Sequence, residues 1–124
     1  MGYCSEIGLC LAAPAQAKLK LCLMRLKNGE GTDSAEKRKL ILELFQYATL
    51  RKDEESGAAA YHWDSLKWYS EYQDVAFVEK FLEEQDEDEY LFIRLGESED
   101  DTEFKGTFWG SPFGMALARS IVFN

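Results

Sequence analysis

The sequence holds a single histidine, His62, and that scarcity removes most acid–base catalysis from consideration. A Ser-His or Cys-His pair would have to join His62 to Ser5, Cys4 or Cys10, and no motif brings them together. Glycine-rich phosphate loops are missing: neither G-x-G-x-x-G nor G-x-x-x-x-G-K occurs. Asn28-Gly29-Glu30-Gly31 reads as a helix stop instead. Cysteine is scarce as well, with only Cys4, Cys10 and Cys22. An odd count argues against a disulfide framework. No C-x-x-C pair exists, so a zinc site would have to combine these cysteines with His62. Small buried thiols are the plainer reading. Only two prolines are present, and no polar segment is long enough for a disordered tail. No apolar run approaches the roughly 20 residues of a membrane span. The stretch Ile7–Ala13 lacks the basic flank of a secretory leader. These absences point to a cytoplasmic, non-enzymatic chain with no catalytic residues, no metal site and no cofactor.

Positive charge is also scarce, and unevenly so. The net charge is −9. Residues 1–52 carry five acidic and nine basic side chains, whereas residues 53–124 carry eighteen acidic and five basic. Such asymmetry predicts an electrostatic face that repels nucleic acid and anionic lipid and attracts a basic surface.

What is present suffices for a core. Apolar residues make up 46% and aromatics 14% of 124 residues, which fits one domain spanning the whole chain, 1–124. Tyr3–Leu11 alternates and predicts a first strand. Pro14 suits a helix start, and Leu19, Cys22, Leu23 and Leu26 follow at helical spacing over Ala15–Lys27. Asp33 and Glu36 form a capping box ahead of a second helix, Ser34–Leu50, with a charged loop at Arg51–Gly57. Tyr61–Tyr69 reads as a strand, Glu71–Glu84 as a third helix with Ser70 and Gln73 as its capping box, and Tyr90–Leu95 as a strand. Glu103–Phe108 and Ala116–Phe123 complete the set. The order β-α-α-β-α-β-β-β predicts an α+β fold, a mostly antiparallel sheet with helices on one face. Ile7, Leu9, Leu23, Leu44, Val78, Leu82, Leu91 and Ile93 are the expected core.

Two clusters are candidate sites. The segment Glu83–Glu103 holds eleven carboxylates: Glu83, Glu84, Asp86, Glu87, Asp88, Glu89, Glu97, Glu99, Asp100, Asp101 and Glu103. It reads as a solvated face, as a docking surface that imitates nucleic-acid phosphate, or as a divalent-metal site at Asp100, Asp101 and Glu103. The last does not fit the calcium-loop spacing. The second cluster is Lys67, Trp68, Tyr69 and Arg94, a cation-and-aromatic set able to stack a nucleotide. Core packing is its alternative. Lys67 and Arg94 are expected to be paired, in a salt bridge with Glu97 or Asp74 or in an anion site for a phosphate, because an unpaired buried charge is costly.

The blocks Gly2-Tyr3-Cys4-Ser5-Glu6, Leu66-Lys67-Trp68-Tyr69 with Tyr72, Asp74 and Val75, Phe92-Ile93-Arg94-Leu95-Gly96-Glu97 with Asp100-Asp101, and Arg119-Ser120-Ile121 resemble a family of small phage- and prophage-encoded proteins. That family usually has a basic residue where Cys4 stands. The resemblance implies a host-cytoplasm setting and carries over no catalytic residue. Small phage proteins of this kind act by binding, anti-CRISPR proteins being one such group. The expected partner is a host defence or nucleic-acid-processing protein, bound and inhibited through the acidic segment, with no direct contact to nucleic acid or membrane. A homodimer stays open. The alternatives are a sponge for a small ligand or signalling nucleotide, built on the cation-and-aromatic set, and a weak metal-dependent enzyme.

Overall fold

The computed structural model describes residues 3–98 and 100–115. Its strands are β1 (Ser5–Leu11), β2 (Thr49–Lys52), β3 (Ala59–Leu66), β4 (Tyr90–Leu95) and β5 (Thr102–Gly106), and its helices are α1 (Ala13–Lys27), α2 (Ala35–Tyr47) and α3 (Gln73–Glu83). A single 3-10 turn, Glu87–Glu89, precedes β4. The strands form one five-stranded sheet in the order β2-β3-β1-β4-β5, with every neighbouring pair antiparallel. The fold is therefore α+β, as the sequence predicts.

Side chains on a strand alternate between faces, and here the alternation divides the core in two. Ile7, Leu9 and Leu11 of β1 lie beside Tyr61 and Trp63 of β3 and Tyr90 and Phe92 of β4, under the helices. Ala15 and Leu19 of α1, Leu44 of α2, and Val78, Phe81 and Leu82 of α3 close this layer. Their spacing puts them on one helical stripe each. Two hydrogen bonds tie the sheet to the helices: Trp63 Nε1 donates to the Leu44 carbonyl at 2.8 Å, and Tyr61 Oη donates to Gln16 Oε1 at 3.0 Å. Burial pushes the Tyr61 hydroxyl pKa up, and the Gln16 bond offsets part of that rise. Phe45 sets its ring edge-on to Tyr61, Trp63 and Phe77. Cys10, Leu91 and Ile93 face the other way and pack under Phe108, Phe113 and Met115.

Several boundaries differ from expectation. The second helix stops at Tyr47, and Thr49–Lys52 pairs with β3 as an edge strand where the charged sequence reads as helix end and loop. All four residues of β2 are exposed, so no apolar alternation marks it. The cap of α2 is Ser34, whose hydroxyl accepts from the Lys37 amide at 3.1 Å; Asp33 instead pairs with the Lys37 ammonium. The α3 cap is Tyr72, with no side-chain bond, so the Ser70–Gln73 box does not form. Leu23 is half-buried on the rim of the core, whereas the other seven expected core residues are buried. The expected strand Ala116–Phe123 lies outside the described residues. Among the described residues no helix is long and apolar enough to cross a membrane.

Candidate functional site: two acidic poles and a helix-free sheet face

β4 divides the acidic segment. Glu83, Glu84, Asp86, Glu87, Asp88 and Glu89 precede the strand, and Glu97, Asp100, Asp101 and Glu103 follow it; Glu99 lies outside the described residues. A six-residue strand separates the two groups by roughly 20 Å at about 3.4 Å per residue. They form two poles, not one patch.

The pole after β4 is engaged internally. Arg94, half-buried at the end of the helix-side layer, donates from Nη2 to Asp101 Oδ1 at 2.6 Å, from Nη1 to Asp101 Oδ2 at 3.1 Å and from Nε to Glu103 Oε1 at 3.2 Å. Its Nη1 also donates to the buried Ser5 hydroxyl at 3.1 Å. Tyr3 Oη donates to the same Asp101 carboxylate at 2.7 Å, and Glu97 accepts from the Cys4 amide at 2.8 Å. The hydrogen bonds from Arg94, then that from Tyr3, hold the Asp101 carboxyl at a pKa of about 2, below its ordinary 3.8. The Asp101 bond in turn raises the Arg94 pKa. Gly96 makes the packing possible: a Cβ there would run into the Asp101 carboxylate and the Tyr3 hydroxyl. The expected partners Glu97 and Asp74 are thus replaced by Asp101 and Glu103. A divalent ion at Asp100, Asp101 and Glu103 would have to displace a guanidinium, so this group is built as an ion-pair joint.

The pole before β4 is the opposite case. Glu83, Glu84, Asp86, Glu87 and Asp88 are exposed, and none forms an ion pair with a described residue. Glu83 and Glu84 sit at the C-terminal end of α3, where the helix dipole disfavours negative charge. The field is felt nearby: the Tyr90 hydroxyl pKa is raised, first by burial and then by Glu87 and Glu83. Glu89 turns inward, with one carboxylate oxygen buried and unpartnered among the described residues. Thr107 anchors the chain after β5 to this turn: its amide donates to the Glu87 carbonyl at 2.7 Å and its hydroxyl at 3.1 Å. Two residues on, Trp109 tilts against Phe104 with ring centroids 6.0 Å apart, and both rings are about half exposed.

The cation-and-aromatic set does not make an open site. Trp68 packs between Trp63 and Phe92, and its Nε1 is buried without a partner among the described residues. The Tyr69 hydroxyl accepts from the Tyr3 amide at 2.6 Å. Arg94 is spent on its carboxylates. Lys67 is exposed and makes no ion pair with a described residue.

His62 stands on the helix-free face between two carboxylates, with Nε2 2.7 Å from Glu6 Oε2 and Nδ1 3.5 Å from Asp64 Oδ1. These three are the only metal-ligand cluster among the described residues, and it contains no cysteine. The two carboxylates approach opposite ring nitrogens, a geometry that suits a clamped imidazole better than ligands converging on one ion. Cys10 lies on the same face, but burial pushes its thiol pKa up, only partly offset by Ser111, so it stays protonated and unreactive. Pattern reading missed this face because its residues come from four strands. The one signal was Gly8, which interrupts a central strand. No protein-family model, curated protein or solved structure matches the chain.

Proposed function

We propose that this chain is a non-enzymatic binding protein that docks the acidic pole before β4 onto a basic protein surface. One observation carries the reading: five exposed carboxylates, Glu83 and Glu84 at the end of α3 and Asp86, Glu87 and Asp88 in the turn after it, form no ion pair with a described residue, and Thr107, anchored to the Glu87 carbonyl, leads into the exposed Phe104–Trp109 pair. Unpaired charge at the unfavourable end of a helix lowers stability, and such local conflicts concentrate at functional surfaces. Aromatic rings supply anchoring contacts, and surrounding charge supplies steering and partner choice. A groove that binds nucleic acid is the complementary surface. Together with the resemblance to phage proteins, this favours a host defence or nucleic-acid-processing factor as the partner, displaced from its nucleic acid when bound.

The test is capture and competition. Tagged protein is crosslinked in bacterial lysate, and captured proteins are compared with those taken by a variant carrying Lys at positions 83, 84, 86, 87 and 88. A control variant carries Lys at 30, 36, 54, 55 and 71, exposed glutamates elsewhere with the same change in net charge. The partner should be kept by the control, lost by the first variant, and released from its nucleic acid by the wild type. Equal capture by all three would reject the acidic pole as the contact.

A further inference from the structure

The helix-free face of the sheet is unevenly covered. Along β1 it presents Glu6, Gly8 and Cys10, and along β3 Ala60 and His62. Ala60 adds almost no bulk, so strand backbone there, with the His62 ring beside it, forms the floor of a depression, while Met115 lies over Gly8. Ile93 and Leu95 of β4 wall one side, and Phe113 and Met115 wall the cavity from above the sheet. Thr49 and Arg51 of the edge strand β2 stand at the other side. The space encloses about 250 Å3. Gly8 also admits the wall itself, since a Cβ there would come within 2.6 Å of Met115 Sδ.

Three features define what fits. A flat floor, with a phenyl ring and a thioether beside it, suits a planar ring, because sulfur and aromatic faces pack favourably against one. Arg51 lies at the mouth and makes no ion pair with a described residue, although the chain's net charge is −9. Its planar fork matches a carboxylate or phosphate. Thr49, two residues away on the same strand face, adds a hydroxyl. At the far end, across the strands from Arg51, the Glu6 carboxylate bars a second anionic group. We propose that this cavity binds a small planar organic anion, its ring over Ala60 and against the Met115 thioether that covers Gly8, and its single anionic group at Thr49 and Arg51. The site is separate from the acidic pole and does not depend on it.

The experiment titrates the full chain with benzoate and with phenyl phosphate, and with benzyl alcohol as the uncharged ring. Backbone amide NMR shifts of Gly8, Cys10 and Ala60 are followed. At least one anion should shift these amides and saturate with a Kd of about 1 mM or tighter. Arg51→Gln, at an exposed edge position, should weaken that anion about tenfold or more and leave benzyl alcohol unchanged. Ala60→Leu should abolish both by filling the floor. Which anion prevails assigns carboxylate or phosphate. The proposal is overturned if neither anion shifts these amides, or if Arg51→Gln binds the anions as tightly as the wild type. Those two readouts stand even if Ala60→Leu fails to fold.

Discussion

Arg94 and Asp101 meet through two hydrogen bonds, of 2.6 and 3.1 Å, across the β4–β5 turn. Around them gather Tyr3, Ser5 and Glu103, so the start of the chain, the end of β4 and the start of β5 are joined at one point. The segments Tyr3–Ser5 and Arg94–Glu103 supply this joint, and Tyr69, bonded to the Tyr3 amide, adjoins it. Together they make an internally neutralised corner of the sheet.

The joint has a pH signature. The Asp101 pKa falls from 3.8 to about 2 on folding, so its contribution is fully present above about pH 4 and is lost as pH falls toward 2. The thermal midpoint of wild type should drop through that window more steeply than that of Asp101→Asn. Parallel curves for the two proteins would show that Asp101 gains nothing from Arg94.

Arg94→Gln should cost about 2 kcal/mol in urea unfolding, because it leaves Asp101 and Glu103 facing each other and Ser5 without its donor. Lys67→Gln, at an exposed side chain, should stay within about 0.5 kcal/mol of wild type. Equal effects would place Lys67 in a role that its exposure denies.

How legible was this in the sequence? Tyr90–Leu95 is an almost unbroken apolar run, because both faces of this strand are packed, and its bounds are legible to the residue. Helices α1 and α3 were placed within about two residues by their apolar stripes. β2 was not legible: Thr49-Leu50-Arg51-Lys52 is exposed throughout and forms by backbone pairing to β3 alone. The acidic segment reads as one surface in sequence because proximity along the chain hides the strand that separates its halves. Its second half looked like free charge, since nothing in the chain order announces that Arg94 would reach Asp101 and Glu103. The cavity at Gly8 and Arg51 required the strand order β2-β3-β1-β4, which periodicity cannot supply.

Capping separates two adjacent residues. Ser34→Ala should lower stability by about 1 kcal/mol, since its hydroxyl holds the Lys37 amide. Asp33→Ala removes a half-exposed ion pair near the surface and should cost a few tenths of that. Chemical denaturation of both variants checks the order, and the reverse order would restore Asp33 as the cap.

Core position should dominate over aromatic character. Phe92, 1% exposed, touches Trp68 under the helices, and Phe92→Ala should cost about 3–5 kcal/mol. Phe104, 46% exposed, should change stability by less than about 0.5 kcal/mol on the same truncation, while weakening partner binding. Loss of stability at Phe104 without loss of binding would move that ring from the docking surface to the fold.

The proposed docking rests on the exposed charge before β4 steering this protein onto its partner. Its most direct measurement is the association rate with the captured partner at low and high salt. Steering by exposed charge fades as the Debye length shrinks from about 10 Å at 0.1 M to about 3 Å at 1 M. The wild-type rate should fall about tenfold or more over that range, and the variant with Lys at 83, 84, 86, 87 and 88 should associate slowly at both ends. A variant that associates as fast as wild type, at both salt concentrations, would contradict the account.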